Sequence, residues 1–348
     1  MLFTPQQATL RASCETPGIL FGLCRDPEDG RLYGAGTDGF AYVIDPTAEK
    51  PIAEKKWRLH ENFVSSMAFN DGVIISGGFD RRLVWTNVAD GNPIRTIEAH
   101  DGWVRDLALF PDRERLVSVG DDMQVKIWNR QTGELTSTLE GHAKKTPQGY
   151  ATALYAVSVS PDGKTIASGD RIGEVCLWEA DSGELVGRLK APGFYTYDPL
   201  KRVRSIGGIR SVAFSPDGLQ LAIGGIGQVT NVDGFVGPCR VELWDWRAGK
   251  RVFAGEDSHK AVVNHVAFHP AQPWLIGAGG GDSGGILAFW DRKATKAVHK
   301  GKPKGHLQRF LLDVDHEQLL AVGYGGFQIW SFRAKEPAAE KNPAANSS

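Results

Sequence analysis

One pattern of residues is written again and again along this chain. Six times a short stretch that alternates apolar with polar or small residues ends in tryptophan: RRLVWTN (Trp85), VKIWN (Trp128), VCLWE (Trp178), VELWD (Trp244), LAFWD (Trp290) and FQIWS (Trp330). FAYVID puts Ile44 in the same slot, and neighbouring marks stand 40 to 66 residues apart. A period of this size is the signature of a repeat architecture, in which each unit buries its apolar face only against its neighbours. The widest gaps, before Trp178 and Trp244, mark units that carry insertions.

Inside each unit the apolar period is two, as in Val157–Val159 and Val175–Leu177, and no stretch sustains a helical period; this predicts an all-β chain. The stretches AVSVSPDGKTIASGD (156–170) and SVAFSPDGLQLAIGG (211–225) show what joins the first strand to the second. Proline presets φ, aspartate caps the local backbone, and glycine takes the left-handed geometry that closes the hairpin. FPDRE, FHPAQ, FNDG and DPEDG are variants of the same turn.

The units resemble the WD-repeat β-propeller family over nearly the whole chain. The resemblance rests on Gly141-His142, Gly305-His306 and Ala99-His100, on the Trp-Asp pairs at 244–245 and 290–291, and on the period. It implies seven blades of four antiparallel strands around a central channel, occupying residues 1–333 as one domain. The last unit supplies only three strands, so ATLRAS near the N-terminus is expected to complete it and remove a sheet edge. The tail 334–348, AKEPAAEKNPAANSS, has no packing pattern and is expected to be disordered.

Composition narrows the function. With 41% hydrophobic and 23% charged residues and a net charge of −1, the chain has enough apolar residues for a core and no overall field for nucleic acid. Nucleic-acid binding is left to basic loops alone. Neither a signal-type start nor an apolar span of membrane length is present, and Cys14, Cys24, Cys176 and Cys239 are scattered, so a cytoplasmic protein is expected.

Serine, histidine and aspartate do gather, but at scaffold positions. His60, Ser76, Asp80 and Trp85 in the second unit, and His100, Ser118, Asp122 and Trp128 in the third, fall at the spacing of the family's structural network. A buried indole N–H, a hydroxyl, an imidazole and a carboxylate can satisfy one another, so no catalytic group is assigned to them. The network should weaken further on, because Ile172 stands at the aspartate slot of the fourth unit, Gly208 at the histidine slot of the fifth, and the seventh keeps only His306 and Trp330. His259, His265 and His269 lack a completing carboxylate or cysteine, so no metal is expected, and no cofactor. GAGGGDSGG (277–285) has no helix to follow it and reads as a flexible turn rather than a phosphate loop.

Antiparallel alternation puts the turns between second and third strands and the links between blades on one face. Nearly all the extra length lies there, in 142–153, 190–208, 225–239 and 277–285, from the fourth to the sixth blade. These loops mix Tyr150, Phe194, Tyr195, Tyr197 and Phe235 with Lys144, Lys145, Lys201, Arg202 and Arg204, the residue types that binding surfaces select. First strands should ring the channel mouth with Phe21, Ser65, Arg105, Tyr155, Arg210, Asn264 and Phe310, with Trp103 close by. The resulting expectation is a non-catalytic interaction scaffold. Its partner-binding residues are Trp103, Arg105, Tyr155, Tyr195, Tyr197, Lys201, Arg202, Arg204 and Arg210, and the partner such a surface favours is a protein offering an acidic or phosphorylated segment. An enzyme or small-ligand binder using the mouth is the alternative.

Overall fold

The computed structural model describes residues 4–199, 204–231, 236–293 and 295–333, apart from the side chains of Arg204 and Asp257. Seven four-stranded sheets span 20–58, 64–98, 104–139, 154–190, 209–260, 262–301 and 307–331, and each is a simple meander. The seventh is completed by Thr9–Cys14, which pairs antiparallel with Gly326–Ser331. This strand closes the ring as the sequence predicts, and it covers what would otherwise be an open row of backbone donors and acceptors. The tail 334–348 lies outside the described residues.

The alternation in the sequence is buried on both faces, because blades pack against blades. Seven apolar clusters fill the seven gaps between neighbours. Between blades 3 and 4, for example, Val117, Val125 and Ile127 meet Val157, Ile166 and Trp178. The turns behave as their residues dictate. In SPDG the Ser160 hydroxyl donates to Asp162, Ser160 Oγ accepts the Thr165 N–H at 2.9 Å, and Gly163 adopts φ 71°.

Two segments differ from the sequence reading. The glycine-rich 277–285 is not a flexible turn: Trp274–Gly281 and Gly284–Asp291 pair through Gly281↔Gly284, so the glycines extend a hairpin of blade 6. The insertion 190–208 is not a plain loop either, since Tyr195–Asp198 and Arg204–Gly207 form a two-stranded sheet. Glycine hid the first by its low strand propensity, and nothing local in the sequence shows that the short runs Tyr195–Asp198 and Arg204–Gly207 pair with each other.

Candidate functional site

Every first strand carries one extra residue at the same place. The ladder skips between Leu20 and Gly22, Val64 and Ser66, Val104 and Asp106, Leu154 and Ala156, Ile209 and Ser211, Val263 and His265, and Leu307 and Arg309. A bulge of this kind leaves one residue unpaired and re-aims its side chain. The seven bulged residues, Phe21, Ser65, Arg105, Tyr155, Arg210, Asn264 and Gln308, all line one cavity of about 270 Å³ at the channel mouth. The expected Phe310 is corrected to Gln308. Leu307 takes the inner apolar slot of its strand, which leaves Phe310 fully buried between blades 6 and 7.

Phe79, Val262 and Arg309 complete the cavity wall. Arg309 also forms its floor, reaching across the ring to Asp106 at 2.6 Å and to Ser66 Oγ at 3.0 Å. Below it lies a second cavity of about 320 Å³, lined by Asp106, Ser211 and His265 among others. Burial, reinforced by the Arg309 cation, pulls His265 down to about 3, so its ring stays neutral.

Arg105 does not offer an open fork. Its Nε and Nη2 donate to the two oxygens of Asp121 at 2.6 and 3.0 Å, and its guanidinium lies 4.7 Å from the Trp103 ring and 5.2 Å from Tyr155. Arg210 stacks 4.2 Å over Tyr155, with Nη2 donating toward the Gly207 carbonyl at 3.4 Å. Burial lowers the Arg210 pKa; Tyr155 opposes the shift, while the Arg105 and Arg171 cations add to it. The rim continues through Trp103, stacked on Phe79 at 4.2 Å, and Phe63, 5.4 Å from Phe79 and 6.3 Å from Phe21. Phe63 and Trp103 are exposed. Sequence reasoning missed Phe63 and Phe79; both sit at the ends of strands on the loop-bearing face, the position already assigned to Trp103.

Tyr195 and Tyr197 stand in the inserted hairpin, which forms a wall above blades 4 and 5. Tyr195 donates to Gln148, Gln228 Nε2 donates to the Tyr195 carbonyl at 3.0 Å, and Tyr197 packs 6.3 Å from Tyr150. Ile206, Ile226, Val229 and Val262 give the wall a small core of its own. Phe194, grouped with these aromatics by sequence, is instead fully buried in the core between blades 4 and 5. Lys201, Arg202, Phe235 and the side chain of Arg204 lie outside the described residues.

The scaffold networks form with two corrections. In blade 3, Trp128 Nε1 donates to Ser118 Oγ at 2.9 Å, with His100 between Ser118 at 2.8 Å and Asp122 at 2.9 Å. In blade 2, His60 links Ser76 and Asp80, but Trp85 donates to the Arg130 carbonyl at 2.8 Å instead. The reason is register. Ser118 faces Lys126, so Trp128 two residues on shares its side, whereas Ser76 faces Val84 and Trp85 points to the other side. Blade 4, read as lacking its carboxylate, has one: Asp170, fully buried, meets His142 at 3.0 Å. It reaches back from the strand end, two residues before the slot that Ile172 fills. Blade 5 replaces the set with buried Glu242, which accepts from Trp244 Nε1 at 3.0 Å and pairs with Arg240 and Arg251.

Three stretches, 91–129, 133–179 and 250–291, match the WD domain, G-beta repeat model. With seven four-stranded blades in one ring, that decides the family. The chain is a WD-repeat β-propeller. It is 27% identical to the guanine nucleotide-binding protein subunit beta of Oryza sativa subsp. japonica, over 90% of this chain and 81% of that one. It is 27% identical to telomerase protein component 1 of Rattus norvegicus over 78% of this chain, which spans 9% of that protein's length. A stretch covering 27% of the propeller is 38% identical to the small ribosomal subunit protein RACK1y of the same rice, over 26% of that chain.

In this propeller His259, His265 and His269 do not converge. His269 Nδ1 accepts the backbone N–H groups of Ala271 and Gln272, and His265 packs edge-on against Phe310 at 4.6 Å. Among the described residues His142, Glu174 and Cys176 are the group with metal-like proximity. Both His142 nitrogens are already engaged by Asp170 and Ser168, and Glu174 holds Arg188, so the cluster is part of the blade 4 scaffold.

Proposed function

We propose that this propeller is a non-catalytic, cytoplasmic interaction scaffold whose loop-bearing face receives a protein partner, through an acidic or phosphorylated segment. One observation carries the reading: an ordered wall over blades 4 and 5 and an exposed aromatic rim over blades 1 to 3 flank a mouth lined by three arginines. Rigid walls with aromatic and guanidinium anchors bind at low ordering cost. No carboxylate lines the mouth among the described residues, and this favours an anionic partner over general acid–base chemistry.

The test is affinity capture from cell extract with the full chain. Trp103→Ser combined with Lys144→Glu and Lys145→Glu should abolish capture while the melting temperature holds, since all three side chains are exposed. Lys164→Glu and Lys250→Glu, exposed on the opposite face, should leave capture intact. Loss with the second set and retention with the first would place the partner on the wrong face for this reading.

A further inference from the structure

The flank of blade 4 lacks a side chain that the flanks of blades 5 and 6 possess. In blade 5 the outermost strand sets Phe253 opposite Leu243, and in blade 6 it sets His299 opposite Phe289. Phe253 is buried in the core between blades 5 and 6, and His299 leans on Phe289 at 6.0 Å. Blade 4 has Gly187 at this position, opposite Leu177. Its backbone does not demand glycine, since its φ is not positive, and within 4 Å an added Cβ would meet only Leu177. A strand glycine of this kind marks a place where another chain or ligand can approach closely.

The missing side chain leaves a slot of about 390 Å³ between blade 4 and the Trp246–Gly249 turn of blade 5. Leu177 and Leu189 line it and belong to the core between these blades, while Val186 at its lip is exposed. The strand that carries Gly187, Leu185–Lys190, is the last of its sheet among the described residues. Its outer edge therefore presents backbone donors and acceptors directly beside an apolar slot.

Charge gives the slot a sign. Two arginines line it, with no carboxylate among the described lining residues. Arg188 is engaged by Glu174 and by the Gly141 carbonyl. Arg247 is exposed, lies 4.2 Å over the Trp246 ring and donates to the neutral Gly218 carbonyl at 2.7 Å. Asp162 feels its charge but accepts from the Ser160 hydroxyl and the Lys164 N–H. Lys190, exposed at the end of the strand, adds to the same sign.

We propose that the flank of blade 4 is a second docking site, which takes an extended segment of a partner protein as a fifth strand on Leu185–Lys190. One aromatic side chain of that segment covers Gly187 and fills the slot, as Phe253 does from within blade 5, and an acidic residue beside it meets Arg247. Added strands gain affinity from main-chain hydrogen bonds and specificity from a pocket for one side chain, and a cross-strand aromatic shields an edge glycine. The site is separate from the loop-bearing face and does not depend on it.

The experiment measures fluorescence polarisation of dye-labelled, capped octapeptides against the full chain. The peptides alternate threonine and valine around two central positions that sample every pair of residues. Phenylalanine, tyrosine or tryptophan followed by aspartate or glutamate should bind saturably and at least tenfold more tightly than an alanine pair. Gly187→Phe should weaken the best peptide at least tenfold, with thermal melts confirming that the variant is folded. Arg247→Glu leaves the slot intact and should reverse the preference from acidic to basic peptides. N-methylation at alternate residues should abolish binding in one register and spare it in the other, a difference that a purely apolar pocket would not show. The variant Trp103→Ser/Lys144→Glu/Lys145→Glu should bind the peptide as the parent chain does. No saturable peptide, unchanged affinity in folded Gly187→Phe, or equal effects of both N-methylation registers overturns the site. Loss of binding in the triple variant would move the peptide to the loop-bearing face and discard the flank. Self-association of the parent chain in light scattering that Gly187→Phe abolishes would assign the edge to a second copy and overturn the partner segment.

Discussion

Ala321 faces Gln328 across the ladder, two residues from Trp330, in the place that Ser118 and Ser168 hold in their blades. Trp330 Nε1 is buried with no hydrogen-bond partner among the described residues. Ala321→Ser would supply an acceptor at the right register, and a net hydrogen bond contributes about 1 kcal/mol. The substitution should raise the unfolding free energy by that amount, seen as a higher denaturant midpoint with an unchanged slope; a lower midpoint would show that the hydroxyl cannot reach the indole. Titration acts at this scale too. The native state keeps His265 neutral down to about 3, whereas an unfolded histidine takes a proton near 6.5, so stability falls as pH drops through that window, by at most about 1.4 kcal/mol per unit. Asp80 and Asp122 behave otherwise: burial would raise them, but hydrogen bonds from His60 and His100 outweigh it and hold both below the usual carboxylate range. Their contribution is full above about pH 4 and is lost below it. Urea unfolding of His265→Gln across pH 7 to 3 should therefore flatten the curve above pH 4 and leave the steep fall below.

Among the elements, Thr9–Cys14 has the largest consequence for its size. Its own residues are mostly half-buried, yet Leu10, Ala12 and Cys14 cover the cores of blade 7 toward blades 6 and 1. Deleting residues 1–14 should lower stability by several kcal/mol and promote association through the bared Gly326–Ser331 edge, seen as a lower melting temperature and larger species in light scattering. A truncated chain that melts like the whole one would mean that the ring closes without this strand. The strand was legible because ATLRAS shares the pattern of other outer strands. The hairpin Tyr195–Asp198 with Arg204–Gly207 was not, although its alternating Tyr-Thr-Tyr-Asp run is strand-like; nothing local shows that it pairs with itself rather than lying as a loop.

Across the whole molecule, Arg309 of blade 7 and Asp106 of blade 3 meet over the channel, and Asp106 also accepts the Val157 N–H of blade 4 at 3.2 Å. The contact divides the channel and ties distant blades together. Arg309→Met would leave a buried carboxylate without its cation and should cost about 3 kcal/mol, with most of that recovered in Arg309→Met/Asp106→Asn, measured by denaturant unfolding as a double-mutant cycle. Additive losses would show that the two side chains do not act as a pair.

The sequence by itself determined the seven units, their strands and turns, the closing strand and six of the seven residues at the mouth. Each of these follows from a period of two, from turn chemistry or from a fixed repeat, which are local properties. Only the tertiary structure decided that Gln308 rather than Phe310 faces the mouth, that Trp85 turns away from Ser76, and that Asp170 serves His142 in place of Ile172. These depend on strand register, where a shift of one residue moves a side chain to the opposite face. It also decided that Arg105 is closed by Asp121 and that Arg309 is tied to Asp106. Arg309 and Asp106 are far apart in the chain and meet only when the ring closes, so their pairing could not be read from local pattern.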